Sequence, residues 1–137
     1  MDSVDKHKYG RAIQAPGRWK TMMQAINAAL SALGALGVKL NVLANNIANV
    51  NTDGFKKSRA ILEDAVPYGV TVSISKVDNP GEPVPSADGT PQMKESSNVD
   101  LGEEIINLKL TERAFEANLK PIKAEEEMTG KLLDILG

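Results

Sequence analysis

The sequence predicts a mainly α fold: long N- and C-terminal helices pack antiparallel, as in a coiled coil, with a small β-hairpin and loop excursion between them. Three observations predict it. Apolar residues near both ends recur in alternating steps of four and three. Residues 69–75 alternate apolar and polar side chains, as a half-buried strand does. Aromatic residues make up only 4% of the chain, which favours helix seams over a bulky core.

We expect four segments along the chain. They are a polar extension over residues 1–21, a first helix with its corner over 22–54, a β and loop region over 55–98, and a last helix over 99–137. The 137 residues carry 16 basic and 18 acidic side chains, so no strong field draws the chain to nucleic acid, and a DNA-binding helical hairpin is disfavoured. There are no cysteines for disulfides, so oligomerisation is the expected source of stability.

The first 20 residues are polar and mildly basic, and the small apolar run 28–38 follows them, an order that imitates a cleavable signal peptide. The apolar spacing continues past Lys39 without a break, so we expect one uncut helix. A solvated tail is favoured over an anion-binding arm for the extension. We expect no membrane span, because polar residues and glycines interrupt the uncharged stretch 21–38 at Gln24, Asn27, Ser31, Gly34 and Gly37.

The first helix carries two apolar lines. The predicted seam has the 3.5-residue period of a left-handed coiled coil, and a second line lies beside it. The seam consists of Ile26, Leu30, Leu33, Gly37, Leu40, Ala44 and Ile47, and the second line of Ala25, Ala29, Ala32, Leu36, Leu43 and Val50.

Asparagines interrupt the end of this helix at Asn45, Asn46 and Asn49, although Asn is a mediocre helix former. They belong either to an exposed helix end or to buried amides that set the register of packed helices, and we favour register. Asn45 and Asn49 share a helix face and could act together. The run then ends in a corner beginning at Asn51. There Gly54 can take the left-handed conformation and Phe55 can fold back onto the last apolar turn.

The middle of the chain changes character. Residues 69–75 predict a strand, and prolines, glycines and aspartates punctuate residues 78–91. We expect a small hairpin with a long loop. It serves either as a side face that contacts neighbouring molecules or as a connector, and the sequence leaves both open.

The last helix begins at Asp100, which predicts a capping box with Glu103. Pro121 should kink or interrupt the helix near residues 118–120. Two apolar stripes run along it, and a two-helix hairpin buries only one, so the other must meet other molecules or stay exposed. The first stripe is Leu101, Ile105, Leu108, Phe115, Leu119, Ile122, Leu133 and Leu136, and the second is Ile106, Leu110, Ala114, Ala117, Ala124, Met128, Leu132 and Ile135.

The sequence does not suggest a catalytic site. The single histidine, His7, has no partner nucleophile, and cysteine- or histidine-based metal sites lack ligands. Adjacent glutamates such as Glu103 and Glu104 diverge by about 100° on a helix, so they are simpler to explain as a capped start than as an acid–base pair. We therefore expect no enzyme, no catalytic or metal-binding residue, no cofactor and no small-molecule substrate.

Two blocks of sequence resemble a known family. Leu43–Thr52 followed by Gly54 and Phe55 is similar to the N-terminal motif of the bacterial flagellar rod and hook proteins. Residues 97–101, 103–104, 113–118 and Met128 are similar to the C-terminal motif of the same family. The chain departs from the family pattern at Phe115, where a tyrosine is usual, at Pro121, and in the segment before Met22.

The resemblance implies a structural subunit of the flagellar rod, which assembles through its terminal helices into an axial tube and transmits torque from motor to hook. It also implies export through the flagellar type III apparatus without a cleaved signal, a place in the basal body, and partners among rod and hook proteins, including other copies of the chain. The alternative is a secreted or periplasmic helical adaptor that binds one partner by helix packing.

Two groups of residues are the candidate assembly residues. The corner group sets register and consists of Asn45, Asn46, Asn49, Asn51, Gly54 and Phe55. The helix-face group consists of Leu33, Leu40, Ile47, Ile105, Leu108, Phe115, Met128 and Leu132.

Overall fold

The computed structural model describes residues 16–86 and 89–136, so most of the predicted extension over residues 1–21 lies outside the described residues. The elements follow in the order α1 (Pro16–Ala48), β1 (Ser58–Asp64), β2 (Val70–Lys76), β3 (Pro83–Pro85), β4 (Met93–Glu95) and α2 (Leu101–Leu136). The long helices therefore lie near the two ends of the chain, and all four strands lie between them.

The prediction of a mainly α fold with one small hairpin is wrong, because two separate antiparallel sheets lie between the helices. Helices make up 56% of the structure. Strands β1 and β2 pair from Ser58↔Lys76 to Asp64↔Val70. Strands β3 and β4 pair from Pro83↔Glu95 to Pro85↔Met93, and β3 lies within residues 78–91, where a loop was expected. The prolines are tolerated because a two-stranded sheet leaves each strand a free edge, where the missing N–H breaks no ladder bond.

Helix α1 is the element on which the others pack. Both α2 and the β1–β2 hairpin contact it. Among the described residues, the buried apolar side chains all belong to α1, and they are Ala29, Ala35, Leu36 and Leu43. Three of these lie on the predicted second line, whereas Leu30 of the predicted seam is exposed. The predicted seam is therefore wrong in position. The second line of α1, which lies beside the seam, is the side that packs against α2 and the hairpin.

The β1–β2 hairpin lies along α1 and is attached to it at two points. At the hairpin end, the Val70 N–H donates to Ser31 Oγ (3.0 Å), and that hydroxyl donates to the Ala28 carbonyl (2.8 Å). At the other end, Asn46 bonds the backbone of Ser58. Gly69 (φ +136°) makes the close approach possible, because a Cβ there would lie 2.6 Å from Ser31 Oγ.

Helix α2 begins at the expected place and runs without interruption through Pro121 to Leu136. Asp100 Oδ1 accepts the N–H of Glu103 (3.1 Å), as the capping prediction requires. The predicted interruption at residues 118–120 is wrong. The turns around Pro121 stay helical although its backbone has no N–H to donate. Towards α1, Glu104 and Thr111 are buried and Leu108 is half-buried.

The expectation that α1 lacks the apolar character of a membrane span is also wrong by length and composition. Residues Lys20–Ala48 reach a mean hydropathy of 1.5, which is sufficient for a helix that crosses a membrane. The core helix of a soluble protein and a signal sequence meet the same criterion, so hydropathy alone assigns α1 no membrane role. Here α1 packs against α2 and the hairpin.

Candidate assembly site

Asn46 is the most deeply buried side chain at the corner where α1, β1 and α2 meet, with 0% exposure. Its Nδ2 donates to the Ser58 carbonyl (2.8 Å) and to Glu104 Oε2 (3.2 Å). Its Oδ1 accepts the Ser58 N–H (3.0 Å). One amide therefore pairs with both backbone groups of the first residue of β1 and with α2. A shift of either element along α1 would leave these buried groups unpaired.

Charged side chains near Asn46 join the segment at the start of β1 to α2. The buried ammonium of Lys57 donates to Glu103 Oε2 (2.7 Å), and Arg59 donates to the other Glu103 oxygen (2.8 Å). The hydrogen bond from Lys57 holds the pKa of Glu103 below its ordinary value of 4.5. Lys57, just before β1, and Arg59 of β1 therefore both bind the first turn of α2, and the charge of Lys57 does not stay unpaired in the interior.

Asn98, just before α2, also bonds to the backbone at the corner. Its Oδ1 accepts the Lys57 N–H (2.7 Å), and its Nδ2 donates to the carbonyls of Val77 and Asn79 (both 2.8 Å). Nearby, Lys56 bonds the Asn79 carbonyl and the Glu95 carboxylate, and the Lys56 hydrogen bond lowers the pKa of Glu95. These bonds connect the end of β2, the β3–β4 sheet and the start of α2.

The other corner residues make local contacts. Asn45 is exposed, and the Asn49 side chain donates to the Asn45 carbonyl (2.8 Å), so these two amides do not reach α2 as a pair. Asn51 is exposed as well. Gly54 is left-handed (φ 67°), and its N–H donates to the Glu95 carbonyl (2.7 Å). The half-buried Phe55 accepts the Asn98 N–H at its carbonyl (3.2 Å).

The predicted capping box is only half formed. Asp100 caps the helix, but Glu103 does not return to the cap, because its carboxylate is taken by Lys57 and Arg59. The sequence reasoning also missed three residues of the corner: Lys57, Glu104 and Asn98. The signal in the sequence was the basic run at residues 56–59 together with the adjacent glutamates Glu103 and Glu104. Such groups can form ion pairs between segments that are distant along the chain.

The candidate helix-face residues divide into covered and uncovered positions. Leu33, Leu40, Ile47, Leu108 and Phe115 are half-buried. Ile105 (46% exposed) and Met128 (48% exposed) face solvent, and the Leu132 side chain lies outside the described residues. Other apolar residues of α2 are exposed too, namely Leu101, Ile106, Leu110, Leu133 and Ile135. Helix α2 therefore covers one apolar side with α1 and presents another to solvent.

The polar side chains of the corner form hydrogen bonds and ion pairs with one another and with the backbone. Its amides and charges are paired with one another, and no buried side-chain nitrogen or oxygen within residues 16–86 and 89–136 lacks a partner. In the same ranges no cluster of histidine, aspartate or glutamate side chains is arranged to hold a metal ion. These features define a protein of two long helices joined at a polar corner, with apolar side chains left exposed on α2.

Comparison with known proteins shows the family to which this helical protein belongs. Residues 26–56 match the model of the flagella basal body rod protein family, and residues 90–135 match that of the C-terminal region of the flagellar basal body rod FlgEFG proteins. Together the matches take in more than half of the chain, including both helices and the asparagine corner. The chain belongs to the flagellar basal body rod protein family, as the sequence motifs predict. That family is structural and is not known as a family of enzymes.

Curated relatives agree with this assignment. The chain is 47% identical over 55 residues to the flagellar basal-body rod protein FlgG of Buchnera aphidicola subsp. Baizongia pistaciae, covering 40% of this chain and 21% of that protein. It is 38% identical over 64 residues to FlgG of Caulobacter vibrioides, covering 47% and 24%. With FlgG of Bacillus subtilis the identity is 47% over 45 residues, covering 33% and 17%. The matched part thus spans about a fifth of these relatives' length.

Proposed function

We propose that this chain is a structural subunit of the bacterial flagellar rod that assembles through its two helices into a helical axial tube, which transmits torque from motor to hook. Its partners are other copies of the chain and other rod and hook proteins. It reaches the basal body through the flagellar export apparatus without a cleaved signal peptide. The observation that carries the proposal is the uncovered apolar face of α2.

This face is too apolar for an ordinary solvated helix. Ile106 is 63% exposed, and Leu110, Met128 and Ile135, which lie on the same side of α2, are exposed as well. Burial of apolar surface stabilises by about 25 cal/mol per Å², so such a face gains free energy when another helix covers it. The family relatives are rod proteins, which supports other subunits as the molecules that cover it.

The thin interior also favours assembly. The buried apolar side chains of the described residues are few, and nine of the fourteen α2 apolar stripe residues whose side chains are described are exposed. Ordering a residue costs about 1–2 kcal/mol of conformational entropy, and two long helices gain little from such a core in return. Packing against neighbours supplies the missing burial, so helix order and association are coupled.

Open polymers require a particular kind of contact. When different surfaces of identical subunits meet and the rotation does not close a ring, the contacts continue as a helix. The face of α2 is distinct from the outer face of the hairpin, so each subunit has unlike surfaces with which to meet its neighbours. This geometry supports a helical tube over a closed dimer.

The matched pair Ile106→Asp and Lys123→Asp tests the proposal. Both sites are exposed on α2, but only Ile106 belongs to the apolar face. We expect Ile106→Asp to abolish large assemblies in sedimentation velocity, because a carboxylate in a packed helix interface is costly. Lys123→Asp should assemble like the unmodified chain. Equal assembly by both variants, or a defined complex with one partner protein, would contradict the rod proposal and favour the adaptor.

A further inference from the structure

Asp53 and Gly54 form an exposed Asp–Gly pair in the corner that follows α1. They are the central residues of a turn in which the Phe55 N–H donates to the Thr52 carbonyl (3.1 Å). The side chain of Asp53 is 61% exposed. Beyond the chain neighbours of Gly54, no atom of the described residues lies within 4 Å of the position that a Cβ would take there. The pair is therefore open to water, and glycine has no side chain to hinder a reaction at its own nitrogen.

An Asp–Gly pair can isomerise with water as the only other reactant. The backbone nitrogen of the glycine attacks the γ-carbon of the protonated aspartate side chain and forms a new N–C bond. The proton of that nitrogen and the hydroxyl of the carboxyl group leave as one water molecule, and a cyclic imide remains. Water then opens the ring. Opening at the side-chain carbonyl restores aspartate, whereas opening at the main-chain carbonyl leaves the chain linked through the side chain, as isoaspartate.

Strand β4 contacts both groups that take part in this reaction. The Gly54 N–H donates to the Glu95 carbonyl (2.7 Å), and the Asp53 carboxylate lies 3.9 Å from the Lys94 ammonium. The Gly54 nitrogen cannot attack until its hydrogen bond breaks. The Asp53 carboxylate must leave the ammonium and take up a proton before it loses its hydroxyl. Two adjacent residues of β4 therefore oppose the same reaction.

The position of β4 depends on a few polar contacts. Strands β3 and β4 have three residues each, and a lone two-stranded sheet is only marginally stable. The Glu95 carboxylate attaches β4 to the corner, because it accepts from the Lys56 ammonium and from the Gly81 N–H (2.7 Å). None of these contacts joins α1 to α2. Strand β4 can therefore open locally while the helices stay packed.

We propose that Asp53–Gly54 is a site of spontaneous isoaspartate formation and that β4 protects it. The aspartyl bond persists while β4 is in place, and the Gly54 nitrogen reacts when β4 opens. Isoaspartate adds one carbon to the main chain, so the Gly54 N–H no longer meets the Glu95 carbonyl and β4 stays detached from the corner. The reaction needs no neighbouring subunit, so it goes beyond the proposed function.

Isoaspartate in aged samples of the full chain tests the proposal. The unmodified chain and a peptide of residues 51–57 are incubated side by side at neutral pH. Trypsin then separates residues 40–56 of the chain from residues 77–94, which contain its other Asp–Gly pair. Isoaspartyl peptides keep their mass but change their chromatographic retention. We expect isoaspartate at Asp53 to form about tenfold more slowly in the full chain than in the peptide, because one hydrogen bond supplies a factor of that size.

Two glutamate variants test the role of β4. Glu95→Ala removes the bonds from Lys56 and Gly81, so its rate at Asp53 should approach that of the peptide. Glu116→Ala is the matched control, at an exposed α2 position without an ion pair in the described structure, and should react like the unmodified chain. Circular dichroism of each sample shows whether the helices are retained.

The outcomes separate the site from its protection. Absence of isoaspartate at Asp53 in the peptide overturns the site itself. Equal rates in the peptide and the unmodified chain overturn the protection, and this comparison holds even where Glu95→Ala does not fold. A Glu95→Ala chain that keeps its helices and reacts as slowly as the unmodified chain overturns the role of β4.

Discussion

At the residue scale, the corner depends on a single amide. Asn46 replaces the water that would otherwise satisfy the backbone of Ser58, and it also reaches Glu104 of α2. Its neighbours Asn45 and Asn49 have the same chemistry but bond locally or lie exposed. Identical side chains within one turn of helix therefore differ in their contribution, because the helix rotates each one about 100° from the next.

Replacing Asn46 tests this difference. Asn46→Ala should lower the free energy of unfolding by about 3 kcal/mol, because buried donors and acceptors on β1 and α2 lose their partner. Asn45→Ala is the matched control and should change it by less than about 0.5 kcal/mol. Urea unfolding followed by circular dichroism measures both. Similar losses in the two variants would mean that the corner is held by something other than the Asn46 amide.

Acid should weaken the corner through Glu103. Its pKa is lowered in the folded chain by Lys57, so its contribution to stability is complete above the ordinary pKa of 4.5. That contribution is lost as the pH falls through the lower folded value. We expect Glu103→Gln to flatten the fall in stability below about pH 4.5. Glu116→Gln, at an exposed α2 position without an ion pair in the described structure, should leave that fall unchanged.

The sequence could predict the asparagine cluster and the Asp100 cap, because both depend on neighbours within a few residues. It could not predict which amide faces inward. That orientation depends on where β1 and α2 pack against α1, and these contacts join residues 12 and 58 positions apart. The same limit explains why the Lys57–Glu103 pair was missed.

At the scale of elements, local patterns predicted the helices and β2 better than the other strands. Strand β2 alternates apolar and polar residues over seven positions. Its partner β1 contains charged residues that weaken such a pattern, and β3 and β4 have three residues each, too few to show a period. Their pairing joins residues 83–85 to residues 93–95 across an intervening loop, and a periodic pattern within one segment does not show such a pairing.

Helix α2 contains a built-in weak point at Pro121. A proline inside a helix costs up to about 3 kcal/mol relative to alanine, and here the helix continues through it. Pro121→Ala should therefore raise the free energy of unfolding, by about 1–3 kcal/mol, and increase helix content. Lys120→Ala, its exposed neighbour, should have little effect. A destabilised Pro121→Ala chain would show instead that the proline is required for packing.

At the scale of the whole molecule, a polar corner fixes the relative position of the elements and apolar surface is left over. The corner satisfies its own hydrogen bonds, while α2 and the hairpin tip present exposed apolar side chains to solvent. In the proposed rod subunit, the corner fixes how the elements pack against one another, and the exposed apolar surface is left for neighbouring subunits. Residues 26–56, which include most of α1 and Asn46, match the rod protein family, and residues 90–135 match its C-terminal region.

The central claim is that helix order and open-ended assembly are coupled, and it is tested most directly by sedimentation velocity and circular dichroism on the same samples over a range of concentrations. We predict that helix content rises together with the appearance of large species that have no fixed size. A fully helical monomer or dimer whose size and helix content do not change with concentration would contradict it.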